Sequence, residues 1–113
     1  DVVRVDEKHM DAVTGLSGSG PAYVYLFIEA LVEGGVAAGL AYDTAVRLAT
    51  QTVKGAAALV QQSGESPAAL KSKVMSPGGT TVQGLMALEE HGMKYAVVRA
   101  VDQAARRSAQ LGA

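Results

Sequence analysis

No cysteine and no tryptophan occur among these 113 residues, and there is one phenylalanine. Without cysteine the chain forms neither a disulfide nor a thiolate metal centre. A reducing compartment, the cytoplasm, is the expected setting. Histidine is nearly as scarce. His9 and His91 stand far apart with no helical ligand spacing, so no metal site is expected. Charge of one sign is lacking too. The net charge is −1, and Arg106-Arg107 is the only adjacent basic pair. That excludes the basic footprint of a nucleic-acid binder. No repeat, low-complexity tract or internal linker interrupts the chain, and no targeting segment is expected.

What is present is a wealth of small residues: 20 alanines, 15 valines and 13 glycines. The length suffices for one domain with its own core. Small side chains bury little area each, however, at roughly 25 cal/mol per Å². Pairing with a second copy is therefore expected. The run Ala22–Ala41 is apolar apart from Glu29 and Glu33, one helical turn apart. In a membrane span each carboxylate would cost about 2.5–3.5 kcal/mol, and no basic flanks are present. A helix buried nearly all round, with a partner chain covering part of it, fits better. Gly34, Gly35 and Gly39 either give this helix a flat face or end it near Gly39.

The remaining punctuation reads as helices. A short turn at His9–Val13 leads to a glycine–serine loop, Gly15–Pro21. Asp43 is read as the cap of a helix from Thr44 to about Gln62, with Val46, Ala49, Val53, Ala57 and Val60 inward and Asp43–Arg47 as a pair. Gly64 stops it. Ser66-Pro67 starts a short helix with Leu70 and Val74 on its inner face. A helix from Thr81 to about His91 follows and ends at Gly92. The last helix runs from Met93 to about Leu111, with Val97, Val101, Ala104, Ala105 and Leu111 inward and Asp102–Arg106 paired outside. The sum is an all-α bundle. Val2–Val5 alternates like a strand end with no sheet to join, which points to an upstream sheet domain.

The chemistry concentrates in Val74-Met75-Ser76-Pro77-Gly78-Gly79-Thr80-Thr81. Ser76-Pro77 and Gly78-Gly79 break the chain, and Thr80 or Thr81 can cap the next helix, with Thr80 and Gln83 at capping-box spacing. A helix start behind two glycines offers free N–H groups to a carboxylate or phosphate. An ordinary capped loop is the alternative. No nucleophile constellation occurs. Gly15-Leu16-Ser17-Gly18-Ser19-Gly20 lacks the lysine of a phosphate loop, and Pro21 breaks a dinucleotide fingerprint. Glu29/Glu33 and Glu89-Glu90 read as solvated acids.

Together, Asp11–Tyr23 and Val74–Thr81 resemble the two signature segments of pyrroline-5-carboxylate reductase, in the right order and separation. The resemblance covers nearly the whole chain but only the C-terminal half of a family member. It implies residues 1–6 as the end of the last strand, or a linker, from a missing Rossmann domain. It implies residues 7–113 as a helical dimerisation and substrate-binding domain. The fold implied is of the 6-phosphogluconate dehydrogenase C-terminal-domain-like type, an intertwined homodimer, with decamers (pentamers of dimers) in the family.

The activity implied is reduction of 1-pyrroline-5-carboxylate to L-proline in proline biosynthesis, with NADPH or NADH bound mainly by the missing domain. Neither nucleic acid nor membrane is an expected partner. Ser76, Gly78, Gly79, Thr80 and Thr81 match the family's substrate loop, with N–H groups around Gly79–Thr81 and the Ser76 hydroxyl at the substrate carboxylate. Thr81 matches the threonine near the ring nitrogen and is the catalytic candidate. Gly18 and Ser19 fall on the nicotinamide side. Met75 departs from the serine or threonine of many relatives. The isolated chain is expected to dimerise but not to reduce anything. The competing readings are a non-catalytic helical dimerisation or anion-binding module and a related two-domain dehydrogenase.

Overall fold

The structure, a computed structural model, describes residues 2–113. Asp1, the first residue of the 1–6 segment, lies outside the described residues. Residues 2–6 enter no helix and pair with no strand among the described residues. The rest is helical: a 3₁₀ turn Glu7–His9, α1 (Met10–Val13), a π-helical turn Thr14–Gly18, α2 (Gly20–Ala37), α3 (Tyr42–Ser63), α4 (Pro67–Lys73), α5 (Thr80–Glu90) and α6 (Met93–Gly112). The chain divides into two compact units, residues 1–24 with 88–113, and residues 25–87.

In the second unit α2 ends in a Schellman motif. Leu40 N–H donates to Gly35 O at 3.0 Å and Gly39 N–H to Val36 O at 2.9 Å. Gly39 takes φ +111°, so this glycine does stop the helix, the second of the two roles the sequence offers. Gly35 has its own role, because a Cβ there would meet Ala45 Cβ at 3.3 Å. The helix pair packs around Val32, Ala45 and Ala49, with Ile28 and Val46 against them.

α3 starts earlier than the sequence suggests, at Tyr42, and Ala41 rather than Asp43 holds the cap position. Asp43 instead sits inside the first turn, where its charge favours the helix dipole. Asp43 and Arg47 form no ion pair among the described residues. Ala57 and Val60 are exposed, so the inward stripe covers only the first half of α3. In α4 the expected cap is present: Ser66 Oγ accepts from Ala69 N–H at 3.1 Å, with Pro67 first in the helix. Leu70 is half-buried, whereas Val74 is exposed.

In the first unit, α6 packs on α1 and on the π-helical turn. Val101, Ala104 and Ala105 are half-buried, but Val97 and Leu111 are exposed. Asp102 pairs with Arg106 at 2.9 Å as the i,i+4 spacing predicts. Asp11 accepts from Ser108 Oγ at 2.7 Å, tying α1 to the far end of α6.

Among the described residues only Gly15, Val32, Ala45 and Ala49 are buried. Large apolar side chains stay open: Tyr25 is 69% and Leu26 65% exposed on α2, the helix whose sequence is apolar apart from two glutamates. No helix of the described residues is long and apolar enough to cross a membrane.

Candidate functional site

The Ser76–Thr81 stretch folds from its own chemistry. Proline fixes φ at the second turn position, and Gly78 takes φ +68° at the third, the combination a type II turn requires. The turn closes with Gly79 N–H donating to Ser76 O at 2.9 Å. α5 then begins at Thr80, one residue earlier than expected. Thr80 is thus inside the helix, and the capping box with Gln83 is not available to it.

This start changes the donor set. Gly79 N–H is committed to the turn, so it cannot serve a ligand. The N–H groups of Thr80, Thr81 and Val82 stand in the first turn of α5, where a helix supplies no acceptor. A Cβ on Gly79 would fall on Ser76 Oγ and lie 3.1 Å from Ser76 O. The missing side chain therefore leaves room for the Ser76 hydroxyl over the helix start.

Four helical hydroxyls elsewhere behave differently. Those of Thr14, Ser17, Thr52 and Ser72 each donate to the carbonyl four residues back, at 3.1, 3.1, 2.7 and 3.2 Å. Four residues before Thr81 lies Pro77, in the turn and not in a helix. Thr81 is half-buried, and its hydroxyl is not tied to a carbonyl in this way. The Ser76 and Thr81 hydroxyls, one dipole end and three N–H groups without a helical acceptor make a small, uncharged candidate anion cradle. Met75 is 41% exposed and contributes no polar group to it.

Gly18 and Ser19 belong to the other compact unit. The glycine–serine segment is not the loop the sequence suggests. Ser19 N–H donates to Thr14 O at 2.8 Å, five residues back, which widens the helix into a π turn. The turn is pinned at Gly15, which is buried; a Cβ there would stand 2.6 Å from Val101 O and 3.0 Å from Ala105 N on α6. Gly18 is exposed and Ser19 half-buried. Sequence reasoning missed two partners in this arrangement, Gly15 as a close approach and Tyr23 as a hydroxyl donor. Their only signal was membership of one motif, since an eight-residue separation marks no helical face by itself.

The sequence of residues 7–111 matches the family model described as pyrroline-5-carboxylate reductase dimerisation. This chain belongs to that family. It is 56% identical to the pyrroline-5-carboxylate reductase of Glycine max over 108 residues, 96% of this chain and 39% of the relative. Identity is also 56% to the Synechocystis enzyme of the same name, over 99% of this chain and 42% of the relative. A crystal structure of Plasmodium falciparum pyrroline carboxylate reductase with NADP bound superposes with a TM-score of 0.92 at 44% identity, covering 96% of this chain and 44% of that one. The chain thus spans roughly two-fifths of the length of its reductase relatives. The all-helical fold and the dimerisation-family membership agree with the sequence reading.

The donor set near Gly18 bears on which part of a nicotinamide nucleotide the chain suits. Ser17, Gly18 and Ser19 are uncharged, and the Ser17 hydroxyl is already directed to Val13 O at 3.1 Å. Such a surface fits the neutral carboxamide and ring. It does not fit a pyrophosphate, which needs cations or several convergent N–H groups.

Proposed function

We propose that this chain is the helical dimerisation and substrate-binding part of an NAD(P)H-dependent pyrroline-5-carboxylate reductase, forming L-proline from 1-pyrroline-5-carboxylate. Bound NAD(P)H would supply the hydride for the imine carbon, and a substrate that arrives as the protonated iminium already carries the proton that stays on the ring nitrogen. Ser76 Oγ and the N–H groups of Thr80, Thr81 and Val82 hold the substrate carboxylate. The Thr81 hydroxyl donates to the ring nitrogen, orienting the imine and stabilising charge as it shifts. Gly18 and Ser19 meet the nicotinamide end, while the phosphates are held by a cofactor domain to which residues 1–6 lead. The observation that supports this reading most is the Thr81 hydroxyl at the start of α5, without the backward carbonyl bond of Thr14, Ser17, Thr52 and Ser72.

The test is Thr81→Ala in the full-length reductase that contains this segment. Turnover is expected to fall about tenfold or more, the scale of losing an oriented donor at a reacting centre. Thr81→Ser should retain most of it. Near-normal kinetics in Thr81→Ala would remove this residue from the mechanism. A full-length protein that neither reduces the imine nor binds proline by calorimetry would point instead to a non-catalytic dimerisation module.

The proposed assembly is a homodimer. An ordinary interface covers roughly 800 Å² per partner, largely with apolar side chains at its centre. α2, with Tyr25 and Leu26 open, is the surface most in need of cover. Sedimentation of this chain at micromolar concentration should give a dimer or a pentamer of such dimers. A monomer would contradict the assignment.

A further inference from the structure

We propose that Tyr23 is a positioning residue for the nicotinamide side of the site, acting through the π-helical turn that precedes it. The inference rests on the assignment of Gly18 and Ser19 to that side. In a regular helix Ser19 N–H would bond Gly15 O. Here it bonds Thr14 O at 2.8 Å, and the Gly15 carbonyl loses that donor. Gly15 is buried, and a buried carbonyl needs a replacement partner. Tyr23 supplies it. Its hydroxyl donates to Gly15 O at 3.1 Å and lies 3.4 Å from Ala100 O on α6.

One side chain thus satisfies the carbonyl that the π turn releases and fastens the turn to α6. The ring is half-buried, as suits a tyrosine with an apolar body and a bonded tip. Gly15 makes the arrangement possible. With Val101 O only 2.6 Å from where its Cβ would stand, no larger residue lets the turn approach α6 this closely. Without the Tyr23 hydroxyl, the Ser19 N–H can return to Gly15 O and the segment relaxes toward an ordinary α-helix. Ser19 and Gly18 then rotate about the helix axis, because a π turn carries one more residue per turn segment than an α-helix accommodates. Tyr23 itself need not touch the cofactor.

Tyr23→Phe keeps the ring and removes only the hydroxyl. In the full-length reductase the KM for NAD(P)H should rise about fivefold or more, the scale of leaving a buried acceptor unmet. The KM for the pyrroline should stay within about twofold, since the Ser76–Thr81 turn does not depend on Tyr23. Direct titration of NAD(P)H binding by fluorescence should show the same loss. Unchanged cofactor affinity, or equal losses for both substrates, would overturn the proposal.

Hydrogen exchange on this chain alone separates the latch from the catalytic reading. Protection of the Ser19 amide should change in Tyr23→Phe while that of α3 stays the same. An unchanged Ser19 amide, or a uniform loss throughout both units, would also overturn it. If the full-length protein fails to reduce the pyrroline while Ser19 responds as expected, the substrate assignment fails and the latch stands.

Discussion

Thr14–Gly18 and Ser76–Gly79 are both short, glycine-rich and hydroxyl-bearing, yet they are held by opposite means. The second is fixed from within. Its proline presets one backbone angle, Gly78 accepts φ +68°, and one bond from Gly79 to Ser76 closes it. The first is fixed from outside. Its π geometry depends on the close approach of Gly15 to α6 and on the hydroxyl of Tyr23, eight residues on. A turn fixed locally tolerates change around it and can present a helix start to a ligand in any packing context. A segment fixed by tertiary contact transmits what happens on α6, because its shape is a property of both helices.

The largest expected effect therefore belongs to Gly15→Ala. The new methyl would stand 2.6 Å from Val101 O and 3.0 Å from Ala105 N, both backbone atoms that cannot turn aside. Alanine is a better helix former than glycine, by about 1 kcal/mol, which works in the opposite direction. Overpacking against backbone outweighs it, and a net loss of about 2–3 kcal/mol is expected. Urea unfolding measures it, at one fixed protomer concentration because a dimer's stability depends on mass action. A loss below about 1 kcal/mol would mean that the turn does not need its close approach, and the contrast with Ser76–Gly79 would weaken.

The same contrast explains which features were legible in the sequence. Helix order follows from local signals. Ser66-Pro67 opens α4, and Gly39, Gly64 and Gly92, all with positive φ, mark the ends of α2, α3 and α5. The Ser76–Thr81 turn was legible for the same reason. The π turn was not, since proline and glycine punctuation around Pro21 also describes a loop, and only α6 decides between the two. Asp43 misled because a good capping residue also suits the first helical turn. Val97 and Leu111 repeat at helical spacing on α6 but are 43% and 69% exposed. Periodicity marks an apolar face without saying whether this chain or a second copy covers it. At the site, the residue types were readable and the use of the Gly79 N–H was not. That group looks like a free donor until the turn type is known.

The smallest expected effect is at Gly78, and it tests the local half of the comparison. Nothing lies within 4 Å of where a Cβ at Gly78 would stand, so Gly78→Ala meets no steric obstacle. Its cost comes from φ +68° alone, about 1 kcal/mol for an L-residue held in the left-handed region. Gly78→Asn should recover part of that, since asparagine tolerates this region. Because the strain is confined to the turn, hydrogen exchange should quicken at Gly79, whose N–H closes it, and leave the amides of α6 unchanged. Exchange that also quickens in α6 would show the turn to be coupled to distant packing. Its independence from the rest of the chain would then be lost, and with it the reason for treating the Ser76–Thr81 donors as preset before any substrate arrives.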